Sequence, residues 1–157
     1  MAAQAQQTAD GSTASSPAQI YADALIALDG CKEGEHVNAT CADKVMAKIR
    51  DVAASGHVAA QFFLGSTLFS WRFQRGGPDP TSAEDKEAYI DLLSWLAMAI
   101  KQEHPDSYGY LPSGISQTLR TGKAPEILEE PMSDFPKDWL IEASRRADQR
   151  LVDMPPR

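Results

Sequence analysis

Apolar residues recur along most of this chain at intervals of three and four, the spacing that lays them on one face of an α-helix. Ile20, Ala24 and Leu28 form a first stripe, supported by Tyr21 and Leu25. Ser16 precedes it as N-cap with Pro17 at the first helical position, and Gly30 ends it. Val45, Ile49 and Val52 form a second stripe, with Lys44, Lys48, Arg50 and Asp51 turned to water. That helix is predicted to open at Thr40, with Asp43 in the place of a capping-box acid, and to stop at Ser55-Gly56. The run from His57 to Phe73 is the most apolar and aromatic of all. Ala60, Leu64, Leu68 and Trp71 share one stripe there, and Phe62, Phe69 and Phe73 widen it. So broad a surface predicts a helix contacted on more than one side, the central helix of the fold. Ala59, Ala60 and Gly65 are small enough to let neighbours approach closely.

Gln74-Arg75-Gly76-Gly77-Pro78-Asp79-Pro80 then breaks the pattern. Thr81 or Ser82 caps the next helix, with Glu84 and Asp85 in its first turn favouring the helix dipole. Ala88, Leu92, Trp95 and Ala99 are its inner stripe, flanked by Tyr89, Leu96 and Ile100, and Pro105 ends it. A loop with Tyr108 and Tyr110 leads to a short helix through Ile115 and Leu119 that stops at Gly122. One turn is expected between Pro125 and Pro131. The last helix follows Asp134 or Phe135, with Pro136 at its first position and Trp139, Ala143, Ala147 and Leu151 inward. Arg145, Arg146 and Arg150 suit its C-terminal half. No period-two strand is found. The prediction is an all-α domain over residues 16–154, built as antiparallel helical hairpins behind a disordered tail over 1–15.

Composition narrows the partners. Lys+Arg 15 against Asp+Glu 22 gives a formal charge of −7, which argues against nucleic acid, whose phosphates demand a basic footprint. It favours a basic macromolecular partner. No apolar run is long enough to span a membrane, so membrane insertion is not expected. No P-loop, dinucleotide fingerprint or Gly-x-Ser-x-Gly elbow occurs, so neither a cofactor nor an enzymatic activity is expected. His36, His57 and His104 are far apart and show no paired spacing, which leaves a metal site unsupported. His57, at a helix start, reads as structural.

Cys31 and Cys41 are the only cysteines, in a loop between the first two helices. They read either as a disulfide, which implies export and contributes about 2–3 kcal/mol, or as two free thiols of a cytosolic protein. The disulfide is the preferred reading. Ala3-Gln4-Ala5 has the small-x-small form that precedes signal-peptidase cleavage. The first residues are thus a signal remnant behind an added Met1, or simply an Ala/Gln-rich tail. With the cysteines, the first alternative places the mature protein in a bacterial periplasm. Asn38-Ala39-Thr40 matches a glycosylation sequon, a triplet without meaning in a bacterial protein.

Ala60-Gln61-Phe62-Phe63-Leu64-Gly65 resembles the Ala-x-x-x-Leu-Gly core of Sel1-like repeats, relatives of the tetratricopeptide repeat. Gly76-Gly77 matches the loop of that family, and Trp95 with Ala99 matches the spacing of its second helix. The likeness covers residues 57–100, about one unit. Pro78-Asp79-Pro80 lengthens the loop, and Leu92 stands where an Ala is usual. The resemblance implies a short superhelical stack that binds another protein with a curved face or protruding loops.

The candidate partner-binding residues are Trp71, Arg72, Arg75 and Asp79 around the Gly-Pro loop, and Tyr108 and Tyr110 in the second loop. Trp, Arg and Tyr are the types that anchor interfaces. Alternatively Trp71 and Phe73 are core residues, Arg72 and Arg75 are solvated, and the tyrosine rings fold back over the bundle. Glu126, Glu129 and Glu130 form an acidic patch that suits a basic partner or plain solvent. In overall character the chain is similar to periplasmic immunity proteins of type VI secretion amidase effectors. That likeness implies a steric plug for the Cys-His active site of a cognate peptidoglycan amidase. The other readings are a Sel1-like adaptor of envelope complexes and a small periplasmic hydrolase.

Overall fold

The computed structural model describes residues 14–107, 109–124 and 135–155. Among these the chain is all-α, with one small strand pair. The elements are α1 (Pro17–Gly30), β1 (Lys32–Glu33), β2 (His36–Val37), α2 (Ala39–Ala54), α3 (Val58–Phe73), α4 (Ala83–Lys101), α5 (Ser113–Thr121) and α6 (Lys137–Asp153). Each helix packs on the next in sequence, and α4 also packs on α6.

Side-chain caps start the first four helices. Oxygen or nitrogen of Ser16, Asn38, His57 and Ser82 accepts the backbone N–H of Gln19, Cys41, Ala60 and Asp85 respectively, satisfying donors that the first turn leaves orphaned. The start of α2 therefore lies at Asn38, not Thr40. The Asn38 amide oxygen is 3.0 Å from Cys41 N, and the sequon asparagine is a cap. Asp43 makes no capping bond and is exposed. Pro136 sits at the N-cap of α6 rather than inside it. Helix α4 ends at Lys101, before Pro105, and the chain turns there with Glu103 at φ 60°.

The sequence pattern predicts no strand, yet β1 and β2 pair antiparallel across Gly34, whose φ of 66° suits the tight turn. Two residues on each side are too few for a period to show. Cys31 and Cys41 bracket this hairpin at disulfide distance, with Cα atoms 5.5 Å apart. Such a pair is compatible with an extracytoplasmic location. Among the described residues no helix is long and apolar enough to cross a membrane.

The central helix is α4, not α3. Every residue from Leu92 to Ile100 is buried, because α3 covers one side of α4 while α5 and α6 cover the others. On α3 only Ala60, Gln61, Leu64 and Gly65 are buried, and Phe73 is 42% exposed. The aromatic widening of α3 is edge packing: Phe69 stacks on Phe73 and meets Tyr110 and Phe135 edge-on or tilted. The inner stripe of α1 is also narrower than expected. Ala24 is buried and Tyr21, Leu25 and Leu28 are half-buried, while Ile20 is exposed. The tail over 1–13, the turn between Pro125 and Pro131, the acidic patch of Glu126, Glu129 and Glu130, and Asp134 lie outside the described residues; Ala14 and Ser15 are exposed and non-helical.

Candidate functional site

Three helical stripes converge on one cleft. Helix α2 contributes Asp43, Met46, Ala47 and Arg50, spaced so that they share a face. Helix α3 and the turn after it contribute Leu64, Leu68, Trp71, Arg72 and Arg75, and α4 contributes Ala88, Asp91 and Leu92. The cleft holds about 470 Å³, within the size range of ligand-binding concavities. Leu64 and Leu92, 1% and 2% exposed, form an apolar floor. A second concavity of about 440 Å³ continues past Asp43, Trp71 and Arg75 to Val37 of the hairpin. Asp43, Trp71 and Arg75 line both.

The charges around this cleft are mostly paired. Asp91 accepts from Arg150 at 2.8 Å and from Arg50 at 3.1 Å. Burial alone would raise the Asp91 carboxyl, but the bonds from Arg150 and Arg50 outweigh it and hold it below the ordinary carboxylate range. Arg150 also donates to Ser94 Oγ, and its guanidinium carbon lies 4.2 Å from the Trp95 ring centroid. This knot ties α2, α4 and α6 together beneath the cleft.

Arg72 donates to Asp85 Oδ1 at 2.9 Å and lies over the Tyr89 ring at 5.6 Å. Its Nε is buried without a hydrogen-bond acceptor among the described residues. Asp85 Oδ2 in turn accepts the Asp79 backbone N–H at 3.0 Å. Asp79 Oδ1 accepts from Thr81 N at 2.9 Å and from Thr81 Oγ1 at 2.6 Å. Asp79 therefore closes its own loop, and the hydrogen bonds from the Thr81 hydroxyl and amide hold its carboxyl low.

Arg75 differs from its neighbours. It is exposed, it lines both concavities, and its side chain makes no ion pair or hydrogen bond among the described residues. The side chain of Asp43, on α2, is in the same state.

No family model, curated protein or solved structure matches this chain.

The other predicted residues lie elsewhere. Tyr110 O–H donates to the Ser66 carbonyl at 2.9 Å, and its ring packs edge-on against Phe62 and Phe69. It folds back over α3 and is 36% exposed, in a third concavity on the far side of Trp71. Tyr108 is outside the described residues. Thus Trp71, Arg72 and Arg75 share a site, Asp79 supports it through Asp85, and Tyr110 does not join it. His57 caps α3 and His104 stacks on Phe62 at 5.1 Å. Among the described residues no group of three or more His, Cys, Asp or Glu could hold a metal ion. Sequence reasoning missed Asp43, Ala47, Arg50 and Asp91 as site residues. Their signal is the shared face 43-47-50 on α2, which looks like any solvated helix surface until α3 covers its edge.

Proposed function

We propose that this chain is a binding protein that blocks the active site of another protein, as an immunity protein against a peptidoglycan amidase effector of type VI secretion, in the periplasm. The observation that carries the reading is the cleft wall at the end of α3. Trp71 and an uncommitted Arg75 stand beside a loop braced through Asp79, Asp85 and Arg72. Tryptophan and arginine are the residue types that carry binding energy at interfaces, and a braced loop needs little backbone ordering when a partner arrives. The bridged Cys31–Cys41 pair supports an oxidising compartment, and the charge of −7 supports a basic partner. The mechanism is steric: a plug that excludes substrate.

The experiment is co-purification from the native host followed by inhibition of the captured protein's hydrolysis of purified cell wall. Stoichiometric inhibition supports the proposal, and a captured partner whose activity is untouched rejects it.

A second reading, a Sel1-like adaptor, is favoured by Gly65. Its Cα lies against Leu92 and Leu96 of α4, the close hairpin packing such a repeat uses. An adaptor would bring two proteins into one complex and inhibit neither.

A further inference from the structure

The cleft between α2, α3 and α4 carries a charge pattern that selects what enters it. Arg72 pairs with Asp85 inside the chain, and Arg50 shares Asp91 with Arg150, a cluster with one positive charge in excess. What remains uncommitted among the described residues lining it is one cation, Arg75 after α3, and one anion, Asp43 on α2. Trp71 and the half-buried Leu68 line the same cleft above the floor of Leu64 and Leu92.

Resting on the reading above that the chain binds a protein, we propose that this cleft receives a segment of the partner in which a basic and an acidic side chain flank an apolar one. The apolar side chain lies on Leu68 against the Trp71 ring. The carboxylate takes the planar fork of Arg75, and the ammonium group takes the Asp43 carboxylate. A guanidinium and a carboxylate are geometrically matched for paired hydrogen bonds, so Arg75 gives orientation as well as attraction. The opposite signs of these two residues fix which way the segment runs. A segment with only acidic residues would meet Asp43 and the net charge of −7; one with only basic residues would leave Arg75 unpaired.

The test uses the full ¹⁵N-labelled chain and three blocked peptides: acetyl-Lys-Leu-Glu-amide, acetyl-Lys-Leu-Gln-amide and acetyl-Gln-Leu-Glu-amide. The readout is the indole N–H resonance of Trp71, with that of the buried Trp139 as the internal control for an intact core. The Lys-Leu-Glu peptide is expected to move Trp71 saturably and leave Trp139 in place. Each neutral replacement is expected to bind roughly two- to fivefold more weakly, the scale of one exposed ion pair. Arg75→Gln should abolish the difference between Glu and Gln peptides only. Asp43→Asn should abolish the difference between Lys and Gln peptides only, a pair of mutant cycles that no general loss of folding imitates. Ala47→Trp, at an exposed position on the wall, should fill the cleft and remove binding altogether.

Equal affinity for the three peptides, no saturable movement of Trp71, or discrimination that survives both charge variants overturns the assignment. A captured and inhibited amidase whose binding ignores Arg75→Gln, Asp43→Asn and Ala47→Trp also overturns it while leaving the inhibitor reading intact. Discrimination among the peptides, with no amidase inhibited, supports the cleft assignment and removes the inhibitor reading.

Discussion

Gly65 and Leu96 set the distance between α3 and α4. A Cβ placed on Gly65 would lie 2.7 Å from Leu96 Cγ, 2.9 Å from Leu96 N and 3.1 Å from Leu92 O. Two of these three atoms are backbone, so no rotamer change relieves the overlap. Gly65→Ala is therefore expected to destabilise the protein by roughly 1–3 kcal/mol, the range for overpacking a tight core. Its gain in helix propensity, about 1 kcal/mol at most, offsets only part of that. Chemical denaturation followed by circular dichroism measures the difference. A variant as stable as the parent would mean that the two helices do not cross this closely.

The bridge between Cys31 and Cys41 spans ten residues of sequence separation and staples the end of α1 to the first turn of α2. Closing a loop of that size restricts the unfolded chain by about 2–3 kcal/mol. Reduction, or the double change Cys31→Ala with Cys41→Ala, should lower the thermal midpoint and release the hairpin at Val37. Melting with and without reductant reports it, and identical midpoints would be the contrary result.

Asp91 joins Arg50 and Arg150 across three helices, and its pH dependence follows from the sign of its shift. Its pKa in the folded protein lies below the unfolded value of about 3.9. The stability it contributes is thus fully present above that unfolded value and is lost as pH falls through the folded one. Asp91→Asn should cost roughly 1–3 kcal/mol at pH 7, since two arginines lose a charged acceptor. The stability of this variant should also fall less steeply below about pH 4. Glu142, held to about 2 chiefly by its hydrogen bond from Arg145, titrates in the same window, so only part of the acid dependence disappears. Denaturation midpoints from pH 2 to 7 compare the two proteins; parallel curves would count against the Asp91 knot.

The Asp79 carboxylate is bonded within its own loop, to Thr81. Asp79→Ala removes the acceptor for the Thr81 amide and hydroxyl, so hydrogen exchange at Thr81 N should quicken while the core helices stay protected. Partner binding should weaken indirectly, as the loop beside Trp71 loses its order. Unchanged exchange at Thr81 would contradict the hydrogen bonds described.

Tyr110 offers a milder test. Tyr110→Phe keeps the ring contacts with Phe62 and Phe69 and removes the hydroxyl that donates to the Ser66 carbonyl and interacts with Ser70, at a cost of about 0.5–1.5 kcal/mol. Affinity for ligands of the α2–α3–α4 cleft should not change, because Tyr110 lies on the other side of Trp71. A loss of affinity in this variant would place the site there instead.

The sequence by itself determined the helices and most of their boundaries, because caps and periodicity are local. Ser16 with Pro17, Ser82 and Gly122 act within one turn of chain, and the Val45-Ile49-Val52 stripe needs no knowledge of its neighbour. It also brought Trp71, Arg72 and Arg75 forward as one group, since three residues near the end of one helix are bound to be close. Only the tertiary structure decided which helix is central. Hydrophobic content favours α3, but burial depends on how many neighbours surround a helix, and α4 has α3, α5 and α6 around it. The same holds for the charges. Arg50, Arg72 and Arg75 look alike in sequence, and folding gives the first two a carboxylate, Asp91 or Asp85, while leaving the third uncommitted in the cleft that Asp43 also lines. Pairing between distant helices is a property of packing, and no local pattern encodes it.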